Sequence, residues 1–313
     1  MKLVVALGGH ALATGGSASL VQQQRAIESA VRELAALARE HELLVTHGNG
    51  PQIGWLANLT RASGENASLD LLGALSQGML GYWLARELGA ALPERPVTAL
   101  LTRVQVDSRD AAFASPNKPI GPVLGPGEAE AQRARGLAVA RTRAGLRRVV
   151  ASPAPLRVLE LDALQLLWDS RAILVCAGGG GIPVAVDAAG APRGMECVID
   201  KDATAALLAD ALGADGLLLL TDVAAVYADW PDRGRPIRRA TRSELAALHF
   251  EPGSMAPKVE AACRFVRTPG RRAWIGAFED ARALLAGSAG TEVVADLAAR
   301  KHVESPSAVE HAP

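Results

Sequence analysis

The chain alternates short, unbroken apolar runs with longer stretches in which apolar residues return every three or four positions. Residues 3–7 are continuously apolar and stop at Gly8-Gly9, which predicts a strand buried on both faces. Ile27, Val31, Leu34 and Ala38 follow at gaps of 4, 3 and 4, with Glu28, Arg32, Glu33 and Arg39 left for solvent. That spacing predicts an amphipathic helix. Residues 43–46 predict a second strand, ending in His47-Gly48-Asn49-Gly50-Pro51. Residues 69–88 read as a helix, with Gly73, Gly78 and Gly81 suited to close packing. Residues 97–104 predict a third strand.

The second half keeps the rhythm. Residues 172–177 predict a strand running into Gly178-Gly179-Gly180-Gly181, and residues 202–212 a helix. Residues 216–220 predict a strand running into Thr221-Asp222, and residues 257–266 another helix. Residues 273–277 and 291–294 predict strands with a helix at 280–285 between them. Strand, helix and strand repeated in this way predict an α/β fold with a largely parallel sheet. Residues 115–152 break the pattern. They open with Pro116, Pro119, Pro122 and Pro126 and continue with Arg133, Arg135, Arg141, Arg143, Arg147 and Arg148. This predicts an excursion from the sheet, either a subdomain or a lid, with the arginines read as a solvated face. Residues 298–313 are polar and aperiodic, which predicts a disordered tail.

Composition narrows the classes. With 313 residues, 49% apolar and 21% charged, the chain is not of the disordered class and has enough apolar residues for a full core. Lys+Arg and Asp+Glu are each 33, so the formal charge is zero and the basic footprint of a nucleic-acid binder is missing. No run reaches the ~18 apolar residues of a membrane span. The first apolar run is too short for the core of a signal peptide. Cys176, Cys197 and Cys263 form no CxxC and no paired framework, as expected in a reducing, cytoplasmic setting.

Three glycine clusters follow predicted strands: Gly8-Gly9, Gly48-Asn49-Gly50 and Gly178 to Gly181. In parallel sheets, ligands bind beyond the carboxyl ends of strands, where glycine lets backbone N–H groups approach an anion. No Walker P-loop occurs. The run Gly48 to Gly54 is one residue longer than a dinucleotide fingerprint and follows the second strand rather than the first, so a dinucleotide site competes only on partial grounds. Lysine is scarce, which makes Lys118, Lys201 and Lys258 informative, the last two at predicted helix entrances. A lysine is a compact, mobile charge that can follow a phosphoryl group. His10, His41, His47, His249, His302 and His311 show no ligand spacing, so no protein-held metal is expected.

Several segments together resemble the carbamate kinases of the amino acid kinase family. They are Val5-Ala6-Leu7-Gly8-Gly9, His47-Gly48-Asn49-Gly50-Pro51-Gln52, Ser76-Gln77-Gly78-Met79, Lys118-Pro119-Ile120-Gly121-Pro122 and Arg147-Arg148-Val149-Val150-Ala151-Ser152-Pro153. Gly178 to Pro183, Val198-Ile199-Asp200-Lys201-Asp202, Leu220-Thr221-Asp222, Ser254-Met255 through Lys258, and Ala273-Trp274-Ile275-Gly276-Ala277 complete the set.

The resemblance implies a three-layer αβα sandwich around a mainly parallel eight-stranded sheet. It implies one kinase domain over residues 1–297, with a protruding subdomain at about 115–152. The implied reaction is reversible phosphoryl transfer between carbamoyl phosphate plus ADP and carbamate plus ATP. Mg²⁺ would be carried by the nucleotide phosphates, and the protein would be a cytoplasmic homodimer with no nucleic-acid or membrane partner. The usual setting is arginine breakdown. By the same resemblance, Gly8, Gly9, His10, Gly48, Asn49, Gly50, Gly178, Gly179, Gly180 and Gly181 would hold carbamoyl phosphate. Lys201 and Lys258 would stabilise the transferring group, Asp202 would orient them, and Lys118 would reach in from the subdomain. Thr221, Asp222, Tyr227 and Met255, with Lys258, would line the nucleotide side. One departure stands out: the family reads Gly-Gly-Asn where this chain reads Gly8-Gly9-His10, which implies an added pH dependence. Another acid or phosphate kinase of the superfamily, or a non-catalytic relative that binds ligand, are the alternatives.

Overall fold

The computed structural model describes residues 1–8, 19–142, 144–229, 234–250 and 255–296. Gly9, His10, Arg143 and the 298–313 tail lie outside them, so the expectations placed on those residues stay as expectations.

The central sheet has eight strands. From one edge to the other they are Arg239–Thr241, Thr291–Val294, Arg272–Ala277, Gly216–Thr221, Lys2–Leu7, Glu42–His47, Ile173–Val175 and Val97–Ala99. Every pairing is parallel except that of Arg272–Ala277 with Thr291–Val294. Because side chains alternate along a strand, Val4 and Ala6 enter one core and Leu3, Val5 and Leu7 the other. The first core is closed by the helices Leu161–Asp169, Lys201–Ala211 and Met255–Phe265. The second is closed by Leu20–Glu40 and Leu69–Ala91. Apolar burial on both faces explains the unbroken Leu and Val runs, and the αβα sandwich is the observed architecture.

The helix anticipated around Ile27 spans Leu20–Glu40 and buries Ile27, Val31, Leu34 and Ala38. It starts where Ser19 and Gln22 form a capping box, which satisfies two otherwise orphaned amides. Of the glycines in Leu69–Ala91, Gly81 is needed for packing, since a Cβ there would sit 3.1 Å from the Ala99 Cβ. Gly78 faces open space, so the packing reason does not apply to it.

The single strand predicted at 97–104 is instead two. Val97–Ala99 belongs to the central sheet, whereas Arg103–Gln105 joins a separate four-stranded sheet beside Ile182–Val186. The switch is held by Gln77, whose Oε1 accepts from the Thr102 amide at 2.8 Å and whose Nε2 donates to the Thr102 carbonyl at 3.3 Å. A continuous apolar run cannot reveal a long-range amide clamp.

The proline- and arginine-rich segment builds its own three-stranded sheet from Lys118–Leu124, Gly145–Val150 and Val139–Thr142, with the helix Pro126–Ala134 against it. It rests on the helix Gly50–Ala62 through a backbone contact between Gly54 and Gly121.

Candidate active site

The carboxyl ends of four adjacent strands open into one cleft. Lys2–Leu7 delivers Gly8, Glu42–His47 delivers Gly48 and Asn49, Ile173–Val175 leads to Gly179, and Gly216–Thr221 ends at Thr221 and Asp222. The cleft has a volume of about 540 Å³. Lys118 and Arg147 of the small sheet form its roof, and Lys201, Asp202 and Lys258 part of its floor. Four cations and three carboxylates line it, which leaves an excess of positive charge.

Asp202 is the centre of the arrangement. Its Oδ1 accepts from Lys201 Nζ at 2.5 Å and its Oδ2 from Lys258 Nζ at 2.8 Å. The carboxylate side chain is 6% exposed and each lysine side chain 11%. Burial would raise the Asp202 carboxyl pKa, but the two ammoniums outweigh it and hold the group well below the usual carboxylate range. Burial lowers Lys201 to about 8, with Asp202 opposing the shift and Lys258 adding to it. Lys258 is also opposed by burial, yet it is raised, because Asp202, Asp200 and Asp222 all act on it. Two neighbouring ammoniums thus share one carboxylate and keep donor capacity for an anion.

Local structure explains how these side chains meet. Asp200 is the N-cap of the helix Lys201–Ala211, its Oδ1 accepting from the amides of Asp202 and Ala203 at 2.9 and 3.1 Å. The cap fixes the first turn and with it Lys201 and Asp202. The other oxygen, Oδ2, accepts from Lys118 Nζ at 2.5 Å, so the small sheet is latched to the body across the cleft. Asp200 was absent from the residues singled out by sequence. The signal was there, an acid just before a helix, but it reads as a cap and nothing more. Arg147 was missed for a related reason, since a charge run reads as solvated. In fact Arg147 is half-buried and lines the cleft, donates to the Gly121 carbonyl at 2.5 Å, and keeps a buried Nε without a partner. Burial lowers its pKa, with no carboxylate to oppose it.

The glycine expectations divide. Gly8 and Gly48 line the cleft, but their amides already donate to the carbonyls of Leu220 and Leu7, at 2.9 and 3.0 Å. Gly180 and Gly181 donate to the carbonyls of Ala177 and Gly178, at 3.0 and 3.2 Å. Of the four-glycine run only Gly179 lines the cleft. The run serves packing: a Cβ on Gly178 would lie 2.3 Å from the His47 ring, and one on Gly179 2.0 Å from the Asn49 amide nitrogen. His47 beneath it is fully buried and lowered by that burial to about 4, so it stays neutral at physiological pH. Asn49 lines the cleft while its Nδ2 donates to Ser76 Oγ at 2.8 Å. Gly50 and Pro51 open the helix Gly50–Ala62 and line the cleft, which brings the positive end of that helix to it.

On the nucleotide side, Thr221 and Asp222 line the cleft and share a hydrogen bond of 3.1 Å. Tyr227 and Met255 do not line it. Met255 is buried in the core and Tyr227 packs against the same cluster, so their place here is behind the wall. Among the described residues, no group of three or more His, Cys, Asp or Glu is placed to hold a metal.

The Gly54–Gly121 contact yields a first prediction. A Cβ at position 54 would sit 2.4 Å from the Gly121 Cα, backbone that cannot swing aside. Gly54→Ala is expected to destabilise by about 1–3 kcal/mol and to displace the roof that carries Lys118. Denaturant titration reads the first effect and substrate KM the second; a wild-type KM would show that the contact does not set the roof.

Comparison with known proteins agrees with this geometry. Residues 1–277 match the sequence profile described as "Amino acid kinase family". A carbamate kinase of Escherichia coli (strain K12) is 49% identical over 294 residues, covering 92% of this chain and 98% of its own. A carbamate kinase of Rhizobium meliloti (strain 1021) is 44% identical over 317 residues, covering 98% and 97%. The structure of a carbamate kinase from Giardia lamblia bound to AMP-PNP superposes with a TM-score of 0.85 at 30% identity, covering 94% of this chain and 98% of that one.

Proposed function

The chain belongs to the amino acid kinase family and, within it, to the lineage of the carbamate kinases, and from that premise we propose that it transfers a phosphoryl group reversibly between carbamoyl phosphate plus ADP and carbamate plus ATP. The observation that carries the reading is the buried Lys201–Asp202–Lys258 bridge at the carboxyl ends of the sheet. Phosphoryl transfer needs little covalent help; it needs alignment and neutralisation of charge on the equatorial oxygens.

In the direction of ATP synthesis, a terminal oxygen of ADP forms a bond to phosphorus as the bond to the carbamate oxygen breaks. Lys201 and Lys258 offer preorganised ammoniums to the phosphoryl oxygens in flight. Asp202 holds both in place and keeps them charged. Lys118 leaves Asp200 for the incoming phosphate, and Arg147 adds a second cation from the roof. The Gly50 helix end and Gly179 serve the carbamoyl phosphate end, and Thr221 and Asp222 the nucleotide. AMP-PNP in the Giardia lamblia relative is consistent with a nucleotide site. Mg²⁺ suits a site of this kind riding on the nucleotide phosphates, since it takes one or two protein carboxylates plus phosphate oxygens, and Asp222 is the cleft carboxylate that neither Lys118 nor Lys201 engages. When bound it would neutralise part of the phosphate charge.

The small sheet acts as a lid in this reading: Ile120 and Val150 seat it on Ile53, Leu56, Leu69 and Leu72 of the body, and across the cleft its Lys118–Asp200 ion pair is one that substrate can replace. A homodimer is part of the proposal. Trp55 and Leu59 on one helix, and Leu71, Leu75 and Tyr82 on the next, are exposed at helical spacing and form an apolar face. No helix among the described residues is long and apolar enough to cross a membrane, and cytoplasmic residence is proposed with the enzyme class.

The test is ATP formation from ADP, Mg²⁺ and carbamoyl phosphate. Turnover is expected; nucleotide binding with no ATP formed would overturn the reading. Lys118→Ala is expected to raise KM for carbamoyl phosphate about ten- to a hundredfold, the scale of one lost charge-assisted hydrogen bond, with a smaller effect on KM for ADP. Equal effects on both would remove Lys118 from the acid end.

A further inference from the structure

The lid sheet separates two cavities. Arg147 and Arg148 are neighbours on the strand Gly145–Val150, so their side chains leave by opposite faces. Arg147 points into the catalytic cleft, and Arg148 lines a second cavity of about 220 Å³ on the other side. This outer cavity lies between two helices that face each other with the same spacing. Gly54, Ala57, Asn58 and Arg61 come from Gly50–Ala62, while Glu128, Ala131, Gln132 and Arg135 run along the lid helix Pro126–Ala134 from its first turn to its C-cap. Ile120, Gly121 and Pro122 line both cavities, so the strand that carries Lys118 is their common wall.

The outer cavity is chemically unfinished. Arg148 is half-buried; burial lowers its pKa, Glu196 opposes the shift, and the charge of Arg61 adds to it. Among the described residues Arg148 makes no hydrogen bond or ion pair. The carboxylate that acts on it, Glu196, is engaged by the Leu69 amide at 2.9 Å. Three guanidiniums, of Arg61, Arg135 and Arg148, line the cavity against one carboxylate, Glu128, whose Oε2 already accepts from the Gly125 amide at 2.7 Å, and this excess of positive charge suits an anion. Between them the lining is largely apolar. The volume falls below the ~300–1,000 Å³ of drug-sized pockets, which limits the occupant to a small molecule.

We propose that this outer cavity is a regulatory site for a small amphipathic carboxylate, with Arg61 and Arg148 taking the carboxylate and the apolar lining taking a short branched body. A ligand there binds the body helix and the lid helix together and braces the wall that carries Lys118. Occupancy therefore sets how readily the lid meets substrate. Binding itself is independent of the kinase reading; the effect on KM rests on it.

The experiment uses 2-hydroxyisocaproate as probe, with calorimetry on the full chain. Binding is expected in wild type with ADP saturating the cleft, weakened about tenfold or more in Arg148→Gln, the scale of truncating a buried charge partner. Ala131→Phe, which fills the cavity from the exposed face of the lid helix, is expected to abolish binding; circular dichroism checks that both variants fold. Saturating probe is expected to change KM for carbamoyl phosphate several-fold with kcat little altered. No binding at tens of millimolar, binding indifferent to both variants, or binding lost once the cleft is filled, would overturn the site. Inorganic phosphate binding the cavity as tightly would overturn the ligand class, and binding without a KM effect would overturn the regulation. If no ATP forms while calorimetry behaves as expected, the site stands and the kinase reading falls.

Discussion

Replacing Asp202 by asparagine is expected to lower kcat/KM by about a hundredfold or more, to shift its pH profile, and to destabilise the fold. Each effect follows from the same two contacts, to Lys201 at 2.5 Å and Lys258 at 2.8 Å. Removing one partner of a buried ion pair typically costs about 3–5 kcal/mol, since a buried charge is left uncompensated. Here two ammoniums lose their counter-ion, and the midpoint in urea should fall at constant slope. The carboxyl is held below its ordinary range in the fold. Its contribution is therefore present above the unfolded carboxylate pKa and is lost as pH falls through the folded value. The catalytic profile moves for another reason. Lys201 gives up its proton near pH 8, so kcat/KM of the wild type should fall as pH rises through that region. Asp202 is what keeps that proton on against burial. Without it the ammonium is lost at lower pH, and the falling limb moves down. An unmoved limb would show that another group is responsible for it.

Lys258→Ala is expected to lower kcat and kcat/KM together by about 10²–10³-fold, the signature of an interaction made chiefly in the transition state. Lys201→Ala should do the same, with the pH limb near 8 abolished. The two losses should not add, since both act on one phosphoryl group through one carboxylate. Single-turnover measurement with carbamoyl phosphate separates chemistry from product release. A rise in KM with kcat untouched would make Lys258 a ground-state binding residue instead. Because Asp202 would then lack only one of its partners, the alanine variants should lose less stability than Asp202→Asn.

How far the fold was legible differs by element. The strand Lys2–Leu7 and the helix Leu20–Glu40 could be read directly, because burial on two faces, or on one stripe, writes a local period into the chain. The helix Gly50–Ala62 left a weaker mark, since Trp55 and Leu59 are apolar yet exposed and blur its stripe. The break at Leu100–Thr102 left none, because the Gln77 side chain that causes it lies far away in sequence. The site shows the same division. Lys201, Asp202 and Lys258 stood out through rare lysines in a recognisable order. Asp200 and Arg147 did not, because an acid before a helix carries no signal beyond capping and an arginine in a charge run reads as solvated.

The α/β alternation, the glycine turns at strand ends, the family and the identities of the cations are all written locally in the chain, since each resides in a local period or a residue type. Which glycine amides remain available, the latch of Lys118 to Asp200, and the opposite cavities faced by Arg147 and Arg148 emerge only on folding. Those depend on distances between segments far apart in the chain and on which charges lose their water. Only the packed molecule fixes either one.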